Sequence, residues 1–291
     1  CFSLKNNLTS FKFYEKEIGS NFSNSLLINK SSNTEVSINL CEKSLDLPDF
    51  VSDKKIIFNK DKLATYEVVN GSQINIYPKE CSHNNTLLYN ALHIPMGCLF
   101  AQKNNLVFHG AIAEKHNKCF MFIGDPGAGK SSLLMHLIKN GWNFITEDIS
   151  ILKDHNYRCL RSFPYIKLSK EIAEKNFDLL ERTNIMNDSK GRSIYKLKKI
   201  APENYGNLHK IFFLDWGQKN RIYTPSESTQ LRLLLNYLIP SFQNKGSIMQ
   251  TNIYSKLLNL LDIYTADILE RPKSTDIQEF NETVELLESY L

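Results

Sequence analysis

The sequence predicts an α/β protein in two parts, a β-rich N-terminal module over residues 1–88 and a phosphate-loop domain over residues 89–291. Three observations carry this expectation. Short β-type runs, separated by Asn, Ser, Asp and Gly, fill roughly the first 85 residues. In mid-chain an apolar run leads into Gly124-Asp-Pro-Gly-Ala-Gly-Lys-Ser131, and an amphipathic helical pattern follows. From about residue 227 onward the apolar spacing is that of helices.

In chain order, Leu26-Leu27-Ile28, Glu35–Leu40, Lys55–Phe58 and Ile74–Tyr77 read as brief strands. Asn70-Gly71, between two strand-like runs, is a tight-turn signal. This module carries no recognisable chemistry. Leu87, Leu88, Ala91, Leu92, Ile94 and Met96 predict a mostly buried helix over 86–102 that Pro95 interrupts or kinks. Leu106–Ala113 and Cys119–Ile123 read as two strands of a hairpin. A helix is expected over Lys130–Asn140 with Gly141 as its cap, then a strand over Trp142–Thr146. Ile149–Leu152 either continues that strand or pairs beside it. Residues 155–200 read as irregular, with a helix near 170–181. Ile211–Leu214 is a buried strand. Leu231–Leu238, Leu257–Ile263 and Val284–Leu291 then predict a helical core and lid, whose Leu/Ile stripe also suits an oligomer face.

The 291 residues are 42% hydrophobic, enough for an ordinary core. A net charge of +4 is too mild to make nucleic acid the main partner, and it suits attraction of a polyanionic nucleotide. No run approaches the length of a membrane span, and no leader pattern opens the chain. The cysteines at 1, 41, 81, 98, 119 and 159 form no Cys-x-x-Cys pair. A cytoplasmic protein with reduced thiols and no membrane partner is therefore expected.

The 124–131 segment fits G-x-x-x-x-G-K-[ST], between a strand and a helix. Glycines at 124, 127 and 129 let the backbone of Gly124, Asp125, Pro126, Gly127, Ala128 and Gly129 wrap around phosphate oxygens. Inward N–H groups and the start of the helix then favour an anion. Lys130 is expected on the β- and γ-phosphates and the Ser131 hydroxyl on a bridging Mg²⁺. The Ser132 hydroxyl either touches the α-phosphate or is an ordinary first-turn residue. Two sites compete for the required carboxylate. One is Glu147-Asp148, after the strand that follows the phosphate-loop helix. The other is Asp215, directly after Ile211–Leu214.

Val107-Phe-His-Gly-Ala-Ile-Ala113, Phe122 through Ser132, and Gly141 through Glu147-Asp148 together resemble the HPr kinase/phosphorylase family in order and spacing, over about residues 105–152. The resemblance implies a phosphoenolpyruvate-carboxykinase-like nucleotide fold, ATP and Mg²⁺ as cofactors, and phosphoryl transfer to a Ser/Thr hydroxyl. It places His109 near the transferred phosphate, Lys130 on phosphates, Ser131 and Asp148 on Mg²⁺, and Glu147 where the family has a proton-accepting Asp. Ser132 stands where HPr kinases have Glu, and their second signature is replaced by Lys190-Gly-Arg-Ser-Ile-Tyr-Lys196. The chain is thus more similar to the diverged branch associated with lasso-peptide gene clusters. That implies a peptide partner, phosphorylated on the C-terminal serine of a lasso-peptide precursor. A kinase of a small hydroxy compound, or a non-catalytic nucleotide-binding regulator, are the competing readings.

Lys190, Arg192, Lys196, Lys198 and Lys199 form a basic run that either meets a phosphate or an acidic peptide, or is a solvated edge. Arg192 is the choice among them, because a guanidinium grips two phosphate oxygens at once. Arg158 and Arg161 are alternatives. His109, His116 and Cys119 match no zinc spacing. Trp142 and Trp216 read as packing residues.

Overall fold

The computed structural model describes residues 9–13, 16–20, 36–41, 47–60, 62–79, 83–153, 155–183, 185, 187, 191–198, 205–240, 249–273 and 277–291. Apart from short pieces at 184–186 and 243–250, these divide into two compact units between Asn105 and Leu106.

In the first unit, β1 (Thr9–Phe13), β2 (Lys16–Ser20), β3 (Val36–Leu40), β4 (Phe50–Val51), β5 (Lys55–Lys60), β6 (Ala64–Val69) and β7 (Gln73–Pro78) form one sheet in the order β1-β2-β3-β7-β6-β5-β4. A period of two sorts its faces. Val36, Ile38, Tyr66, Val68, Ile74 and Ile76 are buried on one face. On the other, Asn39 donates to Asn75 (3.0 Å) and Asn75 to Glu67 (2.7 Å), so register neighbours satisfy each other. The β6–β7 turn places Asn70 at φ +53° and Gly71 at φ +62°, as the Asn-Gly signal required. The expected helix over 86–102 is two helices, α1 (Asn84–Ala91) and α2 (Ile94–Gln102). The break falls at Leu92-His93, and Pro95 sits in the first turn of α2, where its missing N–H has no intrahelical partner to lose. Both helices seat on this sheet: the Tyr66 hydroxyl donates to the Leu87 carbonyl, and Gly71 N donates to Gln102 Oε1. The unit therefore runs to Asn105, past the boundary expected at 88. Leu26–Ile28 lies outside the described residues.

The second unit contains β8 (Leu106–Phe108), β9 (Gly110–Lys115), β10 (Lys118–Ile123), α3 (Lys130–Lys139), β11 (Asn143–Thr146), β12 (Ser150–Lys153), β13 (Arg158–Leu160), β14 (Tyr165–Leu168), α4 (Lys170–Glu174), β15 (Leu180–Arg182), β16 (Ser193–Leu197), β17 (Tyr205–Trp216), β18 (Arg221–Tyr223), α5 (Glu227–Asn236), α6 (Met249–Ile263), β19 (Ala266–Arg271) and α7 (Ile277–Glu288). Its main sheet runs β11-β9-β10-β17-β13-β12-β8, with β19 on the far half of β17 and β18 beyond it. β10, β17 and β19 are parallel, and their carboxyl ends Ile123, Trp216 and Arg271 lie along one edge.

Both faces of this sheet are covered. Phe120, Phe122, Phe212 and Leu214 share a cluster with Leu133, Leu134 and Leu137 of α3 and Leu287 of α7. Met121, Ile123, Ile211 and Phe213 share another with Leu234 of α5 and Leu257 and Leu260 of α6. That is why these strands read as unbroken apolar runs rather than alternations. Each such leucine contributes about 2 kcal/mol by leaving water. Trp142 packs edge-on to Phe120 at 5.0 Å, as a core residue. No helix among the described residues is long and apolar enough to cross a membrane. Cys41, Cys98, Cys119 and Cys159 are free thiols.

Several expectations change. Leu106–Ala113 is two strands broken at His109: β8 pairs with β12, whereas β9 pairs with β10 and β11. Ile149–Leu152 neither extends β11 nor pairs with it; as β12 it lies between β8 and β13. The described residues of 155–200 are not irregular, because β14, β16 and β15 make a three-stranded sheet. The helix expected near 170–181 is only α4 and a single 3₁₀ turn, Phe177–Leu179. The carboxyl-terminal helices are present, but β19 lies between two of them and completes the parallel core.

Candidate active site

The phosphate loop leaves β10 at the carboxyl edge of the parallel strands, the edge where open α/β sheets bind ligands. Backbone proximity dictates its glycines. A Cβ on Gly124 would stand 3.0 Å from the Leu214 carbonyl oxygen of the neighbouring strand. Gly127 and Gly129 hold φ of +98° and +77°, the left-handed region that side chains resist. The Ala128 N–H closes a turn on the Asp125 carbonyl at 2.9 Å, and α3 begins at Lys130. Asp125, Pro126 and Gly127 are exposed at the tip, whereas Gly124, Ala128 and Lys130 are buried. The Tyr237 hydroxyl donates to Asp125 Oδ1 at 2.9 Å and pins the tip.

Lys130 folds back over the loop. Its Nζ donates to the Gly124 carbonyl at 2.5 Å and to that of Asp125 at 3.3 Å. Burial lowers its pKa, against the opposing charges of Asp148, Glu147 and Asp125. At the next residue, the Ser131 hydroxyl donates to Glu147 Oε1 at 2.5 Å. Glu147 is 4% exposed, and its Oε2 has no hydrogen-bond partner among the described residues. Burial, helped by the charge of Asp148, pushes its pKa up to about 7.

Asp148 is held in a backbone conformation that sets the two acids apart. Its φ is +68°, and the Ile149 N–H bonds the Glu147 carbonyl at 2.9 Å, the arrangement of a γ-turn. The buried Thr146 hydroxyl donates to the Ile149 carbonyl (2.7 Å) and braces the turn. The Asp148 carbonyl accepts from Gly110 N at 3.3 Å and from His109 Nδ1 at 3.0 Å. A carbonyl only accepts, so Nδ1 carries the proton and the neutral ring keeps Nε2 as an acceptor. Burial holds the His109 pKa below its usual value although Asp148 pulls the other way. His109 thus interrupts the strand it was expected to sit on, and that interruption brings it beside the acids.

The Asp148 side chain pairs with Lys167 of β14, and both are largely buried. Burial alone would lower the Lys167 pKa, but Asp148 and Glu147 outweigh it and raise it. Reading the sequence missed Lys167. Its signal was a lone lysine between Ile166 and Leu168, in a strand too short to show a period. The charge of Arg192, just ahead of β16, acts on Lys130, Glu147 and Lys167. Other members of the basic run serve strand edges: Lys196 lies 3.7 Å from Glu181, and Lys198 donates to the Asp178 carbonyl. Lys190 and Lys199 fall outside the described residues. Ser132 is half-buried in the first turn of α3. Asp215 is exposed at the end of β17, where its Oδ1 accepts from Trp216 N at 2.8 Å.

Hard oxygen donors fit Mg²⁺ here. Among the described residues no group of three or more His, Cys, Asp or Glu forms a cage of its own. A magnesium ion bound with phosphates needs only one or two protein oxygens. Because Ser131 gives its proton to Glu147, the lone pairs of its oxygen are left to accept a cation.

The buried carboxyl gives a pH prediction for the metal-free protein. Glu147 titrates near 4.5 when unfolded and near 7 when folded, so the folded state binds more protons between those values. The contribution of this carboxyl to stability must then fall as pH rises through that window, by on the order of 3 kcal/mol. His109, held below its ordinary value by burial, acts in the opposite sense in part of this range, so the comparison is between proteins: urea midpoints in EDTA from pH 5 to 8 should fall for the wild type relative to Glu147→Gln. An equally steep decline in the variant would remove Glu147 as the cause.

No protein-family model matches the chain, and no curated protein does. Among solved structures it is similar to the Hpr(Ser) kinase/phosphatase from Coxiella burnetii, at 10% identity and a TM-score of 0.31, over 63% of this chain and 96% of that one.

Proposed function

We propose that the chain is a Mg²⁺- and ATP-dependent kinase that transfers the γ-phosphoryl group to a serine hydroxyl of a peptide, most specifically the C-terminal serine of a lasso-peptide precursor. One observation carries the phosphotransfer reading. The phosphate loop, with Lys130 and Ser131, faces a buried carboxyl whose second oxygen has no hydrogen-bond partner among the described residues, and Asp148, Lys167 and His109 flank it. An anion cradle alone suits many nucleotide-binding proteins. A proton acceptor tuned near neutrality beside it suits group transfer to a hydroxyl. The peptide acceptor draws its support from the family resemblance of residues 105–152.

In this reading the backbone of 124–129 cradles phosphate, and Lys130 turns from the loop carbonyls to the β- and γ-oxygens. Ser131 and Asp148 would hold Mg²⁺, which supplies charge neutralisation on those oxygens when bound. Glu147 Oε2 takes the proton of the acceptor hydroxyl. Lys167 holds the Asp148 carboxylate in place, and with Arg192 it adds positive charge where the transferred group becomes most anionic. His109, neutral and accepting at Nε2, orients the acceptor through a backbone N–H of the peptide, since the single proton of the hydroxyl goes to Glu147.

Intact mass spectrometry tests this. Protein, Mg·ATP and a serine-terminated precursor peptide should yield a peptide heavier by about 80 Da, one phosphoryl group. Lys130→Ala protein should yield none. A gain on free serine or another small hydroxy compound, with none on peptides, would move the acceptor class. ATP binding with no phosphorylated product across such a panel would replace the kinase reading with a nucleotide sensor.

A further inference from the structure

The phosphate loop is supported from behind by a side chain at the opposite end of the domain's sequence. Arg271 closes β19, the third parallel strand, and is 2% exposed. Its Nη2 donates to the Ala128 carbonyl, inside the loop, at 2.7 Å. Its guanidinium carbon lies 4.4 Å from the centroid of the Trp216 ring and 5.6 Å from that of Phe280. A Cβ on Gly129 would stand 2.4 Å from Nη2 and 3.1 Å from the Trp216 ring, so guanidinium and indole together form the wall behind the last loop glycine. Arg271 Nε is buried and makes no hydrogen bond among the described residues.

A guanidinium at this depth is costly unless negative charge compensates it. Ring faces and a single carbonyl supply part of that compensation. The strain of burial is visible in a pKa drawn down to about 10. The residues it touches, Ala128 and Gly129, are those whose backbone faces phosphate in a loop of this kind. An anion seated there would bring the missing charge within one residue of Arg271.

We propose that Arg271 is a positioning residue of the phosphate loop, clamped by Trp216, that fixes Ala128–Gly129 from the rear and has the β-phosphate region of a bound polyphosphate as its counter-charge. The proposal rests on the nucleotide-binding reading above. It predicts that binding selects for a diphosphate or longer, whatever base the ligand carries.

Titration calorimetry with Mg·pyrophosphate and with Mg·ATP on the full chain tests it. Arg271→Gln removes the charge, and its shorter side chain ends about where Nε lies, short of the Ala128 carbonyl that Nη2 reaches. It should bind both ligands at least about tenfold more weakly, the worth of one charge-assisted contact. Arg271→Lys restores the charge and should recover affinity to within about fivefold of wild type. Equal losses for the two ligands place the effect on the phosphates. A merely structural arginine would lower the denaturation midpoint of Arg271→Gln while its folded fraction bound pyrophosphate within about twofold of wild type, a difference near 0.4 kcal/mol; that result overturns the proposal. Should Arg271→Gln fail to fold, Trp216→Leu decides, since unclamping the guanidinium must weaken pyrophosphate binding several-fold and unchanged affinity would overturn the proposal. Wild-type protein that bound neither ligand would instead sink the nucleotide reading itself.

Discussion

Lys130→Ala is expected to lower phosphoryl transfer by about 10²–10³-fold, the usual loss when one preorganised charge is taken from a transition state. The geometry gives the residue two duties that the substitution removes together. In the free protein its ammonium ties the Gly124 and Asp125 carbonyls into the loop. On the proposed function the same ammonium meets phosphate when nucleotide binds. Loss of the first duty should lower the thermal midpoint of the free protein, and loss of the second should weaken Mg·ATP binding. Lys130→Arg separates them, because a guanidinium still donates to the loop carbonyls but does not place a compact charge where the ammonium would meet phosphate. Its midpoint should recover more than its transfer rate. Single-turnover rates beside melting curves read both. Full activity in Lys130→Ala would mean that phosphate binds elsewhere.

The second large effect distinguishes two acids. Asp148→Asn should cost about 10²–10⁴ in transfer rate, in the range for losing a group that acts on the reacting atoms. The substitution removes the oxygen donor that the proposed function gives to Mg²⁺, and leaves Lys167, buried against Asp148, facing a neutral amide. It also withdraws the charge that raises the His109 pKa. Asp215→Asn should stay within about twofold, since it alters an exposed side chain that serves its own strand end. Rates measured over a Mg²⁺ series would show the Asp148 variant recovering in part at high metal and the Asp215 variant unchanged. If only the Asp215 change abolishes turnover, the ion sits at the end of β17 and the roles given to Glu147 and Asp148 fall.

The site was more legible in the sequence than the fold around it. The phosphate loop announces itself because backbone geometry restricts residue type at each glycine, and a fixed spacing follows. Glu147-Asp148 and His109 were legible by their order relative to that loop. What did not show was how the chain bends to bring them together. The γ-turn at Asp148 has no propensity signal, and the break at His109 is held by bonds from distant segments, His109 N to the Tyr237 carbonyl and Gly110 N to that of Asp148, so Leu106–Ala113 read as one strand. Lys167 and Arg271 were missed for a related reason. Each is a cation in or ending a short strand, and strands of four to six residues are too brief for alternation to separate from chance. β19 was further masked by Asp267, which sits buried in the sheet because Lys210 pairs with it at 2.7 Å and Thr224 donates to it at 2.8 Å. A carboxylate satisfied from two neighbouring segments reads, along the chain alone, as a solvated one.

The parallel placement of β19 also governs how the molecule comes off the ribosome. The strand is synthesised after β10 and β17, yet it belongs at the interior of the sheet, beside β17 from Ile211 to Trp216. Until it emerges, a nascent chain holds β17 with half of one side unpaired, and an apolar strand in that state invites pairing with another chain. The long sequence separation between β10, β17 and β19 makes closure of this core a slow, non-local event. Premature termination anywhere before Ala266 would therefore yield an aggregation-prone product rather than a folded protein with a weakened site.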